Sequence, residues 1–101
     1  MNENHPIIKK IIEAEPNTYV IYFDYGCGYS MAALNLLRNK NVSYKGYDIK
    51  EINGQMNKLL DVLAQNANLI NFDTNHRTKP IIFINGKFLG GYQELAKYLN
   101  H

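Results

Sequence analysis

Tyr22-Phe23-Asp24-Tyr25-Gly26-Cys27-Gly28-Tyr29-Ser30 holds the only cysteine of the chain. The apolar, β-branched and aromatic run 19–23 that leads into it predicts a buried strand, and Gly26 and Gly28 break that pattern around the thiol. From Met31 to Leu37 the apolar spacing becomes helical, so Cys27 sits where a strand hands over to a helix. A helix N-terminus offers unpaired N–H groups and the positive end of a dipole, which favour a thiolate over a thiol. A lone cysteine is more often a small buried hydrophobe. Here it lies between glycines, ahead of a helix and beyond the carboxyl end of a predicted parallel strand, where ligands of open α/β sheets bind. This context predicts a nucleophile.

Working outward, Pro6 opens a first helix over 6–15 with an Ile7, Ile8, Ile11, Ile12 stripe, stopped by Pro16. The strand 19–24 and the helix after Cys27 are followed by a second strand over 42–49. Strand, helix and strand form a βαβ unit with parallel strands. A helix over 51–65 presents Ile52, Met56, Leu59, Leu60 and Leu63 on one face. The stretch 66–75 reads either as a helical extension or as a packed loop. Strand 81–84, the Asn85-Gly86 turn and strand 87–89 make a hairpin, which should lie antiparallel beside the first strand. Gly90-Gly91 then leads into a last helix over 92–99. The expected fold is α/β and thioredoxin-like: one domain over 1–101, a four-stranded mixed sheet flanked by helices.

A chain of 101 residues can form one core without disulfides or metals. A formal charge of +2 with scattered Lys and Arg gives no basic stripe, which argues against a nucleic-acid partner. No apolar run is long enough for a membrane span, and the polar N-terminus lacks a signal-peptide pattern. One cysteine and no targeting signal point to a reducing, cytoplasmic setting, and a monomer is expected. His5, His76 and His101 are spread apart without ligand partners and read as solvated side chains; no resident metal site is expected.

Ser30 stands where a Cys-x-x-Cys motif would place its second thiol. It can bond backbone or the Cys27 sulfur. Without a resolving cysteine, a mixed disulfide on Cys27 cannot collapse within the chain, so turnover needs a thiol from solution; in a cytosol the abundant one is glutathione.

Taken together, Cys27-Gly28-Tyr29-Ser30, Thr78-Lys79-Pro80 and Gly90-Gly91-Tyr92 resemble the motifs of a glutaredoxin, in order and spacing. The resemblance implies that Cys27 is the active-site cysteine and that Thr78, Lys79 and cis-Pro80 pair with the cysteinyl part of glutathione. It also implies that the Gly91, Tyr92 and Gln93 loop receives the γ-glutamyl carboxylate, with Tyr29 beside the tripeptide. A helix N-terminus suits that anion on its own account.

The chain departs from the family pattern in three places. Asp24 stands where most glutaredoxins carry a lysine, and a carboxylate there would repel thiolate and peptide if it faced the site. On that reading Asp24→Lys should raise both thiolate fraction and glutathione affinity. Lys79, in place of the usual valine, and Arg77 are candidates to restore positive charge; for each the plain alternative is a solvated surface cation. Gln93 replaces an acidic residue, and the segment 51–76 is several residues longer than its counterpart, with Gln65 the nearest candidate for a further carboxylate contact.

Three functions compete. The first is a glutathione-dependent thiol–disulfide oxidoreductase acting by a monothiol mechanism through Cys27. The second is a [2Fe–2S] carrier, suggested by the likeness of Cys-Gly-Tyr-Ser to Cys-Gly-Phe-Ser of monothiol glutaredoxins, which would need two protomers and two glutathiones to supply four thiolates. The third is a non-catalytic redox or partner-binding module using the 66–75 segment.

Overall fold

The computed structural model describes residues 4–100. Its sheet has the order β2-β1-β3-β4. Strand β1 (Tyr19–Phe23) runs parallel to β2 (Tyr44–Asp48) and antiparallel to β3 (Ile81–Ile84), which turns into β4 (Lys87–Gly90). All five β1 residues are buried because the strand is central and covered on both faces. Val20 and Tyr22 point into one core with Ile8, Leu59, Leu63 and Phe83. Tyr19, Ile21 and Phe23 point into the other, with Ala33, Leu37, Ile82 and Leu95. A near-continuous apolar strand is the pattern that two-sided burial demands. The hydroxyl of Tyr22, which is 1% exposed, donates to Ile7 O at 2.8 Å.

Helices α1 (Pro6–Ile12) and α3 (Gln55–Gln65) pack on the first face; α2 (Gly28–Asn39) and α5 (Tyr92–Leu99) pack on the second. The expected hairpin forms as read, with Asn85 and Gly86 both at positive φ (51° and 79°), the backbone a tight two-residue turn requires.

Four local expectations change. Helix α1 stops at Ile12 rather than near Glu15, because Glu15 precedes Pro16 and is disfavoured from helical geometry. Strand β2 is shorter than 42–49 because Ile49–Glu51 turns into a 3₁₀ segment, in which the Asp48 side chain accepts the Lys50 N–H at 2.9 Å. The helix expected from residue 51 begins only at Gln55, since Gly54, at φ 91°, breaks the chain there. His5 is no free side chain: its Nδ1 caps α1 by accepting the Ile7 N–H at 3.1 Å. His101 lies outside the described residues.

The ambiguous 66–75 stretch is partly each of the two alternatives. Fully buried Asn66 donates from its side chain to Val62 O at 2.9 Å and offsets a short helix, α4 (Ala67–Ile70), from α3. Asn71, in the left-handed region, ends it, and buried Phe72 packs on Phe88. Among the described residues no helix is long and apolar enough to cross a membrane.

Candidate functional site

Strand β1 ends at Phe23, and the next four residues, Asp24 to Cys27, form the candidate active-site loop. The Asp24 side chain turns back to accept the Gly26 N–H at 2.9 Å, and the Cys27 N–H bonds Asp24 O at 2.9 Å. These two bonds shape the loop so that Cys27 becomes the N-cap of α2, in extended backbone geometry and without any side-chain cap. The first amides of α2 therefore have no intrahelical partner and are available to the sulfur.

The thiol reports this environment. Burial alone would raise its pKa, but hydrogen bonds from the Ser30 N–H, the Ser30 hydroxyl and the Tyr29 N–H, with the Lys79 charge, bring it below the ordinary thiol value. Ser30 is fully buried and serves two partners: its oxygen accepts the Asp24 N–H at 3.1 Å, which leaves the hydroxyl proton for Cys27. In the protonated state the Cys27 thiol donates toward Lys79 O, 3.7 Å away. That carbonyl belongs to the Lys79–Pro80 peptide, which is cis.

A cleft of about 380 Å³ is lined by Lys79, whose carbonyl faces the sulfur, while Cys27 itself is not among the lining residues. Tyr29 from α2 forms one wall, His76, Thr78 and Lys79 another, and Gly91 to Glu94 at the start of α5 the third. Six residues named from sequence thus meet at one place: Tyr29, Thr78, Lys79, Gly91, Tyr92 and Gln93. Pro80 is buried beneath them. Arg77 and Gln65 are exposed and do not line the cleft, so in this structure Arg77 supplies it no charge and Gln65 no amide contact.

Two lining residues were missed. His76, read as solvated, is half-buried: its Nε2 lies 3.3 Å from Pro80 O and its ring packs edge-on against Phe88. Its position directly ahead of Arg77-Thr78-Lys79-Pro80 was the available signal. Glu94 folds back to accept the Gly91 N–H at 2.7 Å. The Gly-x-x-Glu spacing of a capping box was the signal for it. The same contact explains Gly90, which sits at φ 140° and whose added Cβ would meet Glu94 Cγ at 2.5 Å. It also alters the expectation for the loop. The Gly91 amide is already engaged by a carboxylate, leaving the Tyr92 and Gln93 amides as the open donors of the α5 N-terminus.

Asp24 departs most from expectation. Its carboxylate is buried and faces away from solvent, accepting the Lys79 ammonium at 2.6 Å, with Lys50 Nζ at 3.6 Å. The hydrogen bonds from Lys79 and the Gly26 N–H, with both lysine charges, hold its pKa down to about 2. The residue expected to repel a thiolate is instead half of an ion pair.

The glutaredoxin family model matches residues 19–89. A probable glutaredoxin of Acanthamoeba polyphaga mimivirus is 50% identical over 95 residues, spanning 94% of this chain and 90% of that one. The crystal structure of the holo form of glutaredoxin C1 from Populus tremula x tremuloides superposes with a TM-score of 0.69 at 26% identity, covering 91% of this chain and 81% of that one. A buckwheat glutaredoxin–glutathione complex shares the fold, with a TM-score of 0.70 at 21% identity over 91% of this chain and 74% of its own. With the thioredoxin-like sheet, the cysteine at a helix N-terminus and the cleft already in place, this chain belongs to the glutaredoxin family.

Proposed function

We propose that the protein is a glutathione-dependent oxidoreductase that removes glutathione from mixed disulfides by a monothiol mechanism. The supporting observation is the sole cysteine at the uncapped N-terminus of α2, where the Tyr29 and Ser30 donors favour its thiolate. The Cys27 thiolate attacks the glutathionyl sulfur of a mixed disulfide. The S–S bond breaks, the departing thiolate takes a proton from water, and Cys27 carries glutathione as a new disulfide. A second glutathione thiolate attacks the glutathione sulfur on Cys27, giving glutathione disulfide and restoring the Cys27 thiolate. Ser30 cannot serve as an internal resolving thiol, so the second step draws on glutathione from solution, as a reducing cytoplasm would provide.

The cleft suits the tripeptide in kind. The Tyr92 and Gln93 amides at the start of α5 suit a carboxylate, Tyr29 and Tyr92 offer aromatic walls with ring centroids 6.1 Å apart, and Lys79 offers a cation. The buckwheat protein was solved with glutathione, which supports the same ligand here.

A [2Fe–2S] cluster takes four thiolate-class ligands, and Cys27 is the one thiol this chain supplies, so the alternative reading as a cluster carrier requires a second protomer and two glutathiones.

The test is turnover of a glutathione mixed disulfide of a small thiol, with glutathione as reductant. We expect reduction that requires both glutathione and Cys27. Absence of turnover by protein whose Cys27 is fully reduced would sink the reading.

A further inference from the structure

Three charged side chains from segments far apart in sequence meet one another, and one of them, Lys79, lines the cleft. Asp24 follows β1, Lys50 lies in the 3₁₀ turn after β2, and Lys79 precedes cis-Pro80. The Asp24 carboxylate is nearly inaccessible, at 7% side-chain exposure, while Lys79 and Lys50 are 32% and 61% exposed. Two cations against one carboxylate leave the group at +1. That is the charge a single lysine at position 24 would have supplied.

The ion pair leaves Lys79 with capacity to spare. An ammonium has three donors, and Asp24 takes one. Lys79 lines the cleft, and its backbone carbonyl sits 3.7 Å from the Cys27 sulfur. A free lysine must give up considerable rotamer freedom to meet a ligand, whereas one already held by a buried partner loses less. The burial of Asp24 is itself tolerable because its oxygens are satisfied by the Gly26 N–H and the two ammonium groups.

We propose that Asp24 is a positioning residue: its buried carboxylate fixes the Lys79 ammonium at the mouth of the cleft, where Lys79 receives a carboxylate of the glutathione moiety of the substrate. The cation has moved from position 24 to position 79, and the acidic residue at 24 is what holds it there. The proposal rests on the glutathione-dependent reading above and deepens it.

Simple repulsion and positioning predict opposite signs for Asp24→Asn. Asparagine keeps an oxygen for the Gly26 N–H, so the loop bond survives while the charge that holds Lys79 is removed. The experiment measures kcat and KM for a glutathione mixed disulfide of a small thiol with wild type, D24N, K79M, K79R and the D24N/K79M double variant, each checked for folding by thermal denaturation. At a pH above the Cys27 alkylation midpoint of each variant, where the lost Lys79 charge no longer changes the thiolate fraction, we expect K79M to raise KM about tenfold with little change in kcat, as loss of a charge-assisted contact made to bound substrate. D24N should raise KM in the same direction by a smaller factor, K79R should stay near wild type, and the double variant should match K79M. A fall in KM for D24N, or losses that multiply in the double variant, would overturn the positioning role while leaving the enzyme reading intact. An inactive wild type would instead overturn the enzyme reading on which the proposal stands.

Discussion

Two helix N-termini face the same cleft, and they are finished differently. Helix α2 begins at Cys27 with no side-chain cap, so its first amides remain open to the sulfur. Helix α5 begins at Gly91, whose amide is closed by the Glu94 carboxylate. Both ends carry the same backbone dipole. What differs is whether a side chain of the protein already satisfies the donors. At α2 the acceptor is the Cys27 sulfur, so helix capping and thiolate stabilisation are one interaction. At α5 the cap is structural, and only the amides beyond it remain for a ligand. Capping strengthens the fold at α5, while its absence at α2 keeps the donors for chemistry.

The largest effect that could break this comparison is at the acceptor of α2. Cys27→Ser should reduce thiol-transfer turnover to background while leaving the thermal midpoint close to wild type, since the two side chains are nearly equal in size and the position is only half-buried. Residual turnover in that variant would mean that the sulfur at α2 is not the nucleophile.

Ser30→Ala removes a hydroxyl from the α2 end and strands the buried Asp24 N–H. We expect a loss of about 1–2 kcal/mol in urea unfolding, together with a rise in the Cys27 pKa, read as the pH midpoint of iodoacetamide alkylation. An unchanged midpoint would leave the backbone amides and the Lys79 charge as the sources of thiolate stabilisation.

Glu94→Ala opens the α5 end. Loss of this cap should cost about 1 kcal/mol, visible as a drop of roughly 4–8 °C in Tm. The Cys27 alkylation midpoint should not move, because Glu94 bonds only the far helix. A shift there would show that the two ends are electrostatically coupled.

The last effect is in acid. The folded-state pKa of Asp24, about 2, lies below its usual 3.8. A group depressed in this way stabilises the fold above its unfolded value, and that contribution is lost as pH falls through its folded one. Wild type and Asp24→Asn should therefore differ in Tm above pH 4 and converge toward pH 2; a gap independent of pH would place the stabilisation elsewhere.

Much of the fold was legible because its signals are local. The five-residue apolar run of β1, the Asn85-Gly86 turn and the helical stripe of α5 each specify an element without help from distant residues. The errors fell where a local breaker competed with a periodic pattern. Gly54 cut a stripe that otherwise continued from Ile52, and Asn66 divided what read as one helix from its short extension. Tyr29, Thr78, Lys79 and the Gly91–Gln93 turn line the cleft, and they were legible through the likeness of their motifs to the glutaredoxin pattern. His76 and Glu94 were passed over because their partners, Pro80 O and the Gly91 N–H, are backbone groups that composition does not reveal.

The sequence by itself determined that the chain has one thiol and where in the fold it stands. One cysteine at a strand–helix junction, followed by serine three residues later, leaves a single thiol and no internal route to resolve its mixed disulfide. Only the tertiary structure decided what the charges around that thiol mean. Asp24 and Lys79 are 55 residues apart, and the sign of each is plain from its type. Whether a carboxylate repels the thiolate or holds a cation beside it depends on direction and distance. Those were set when β3 paired with β1 and brought residue 79 alongside residue 24.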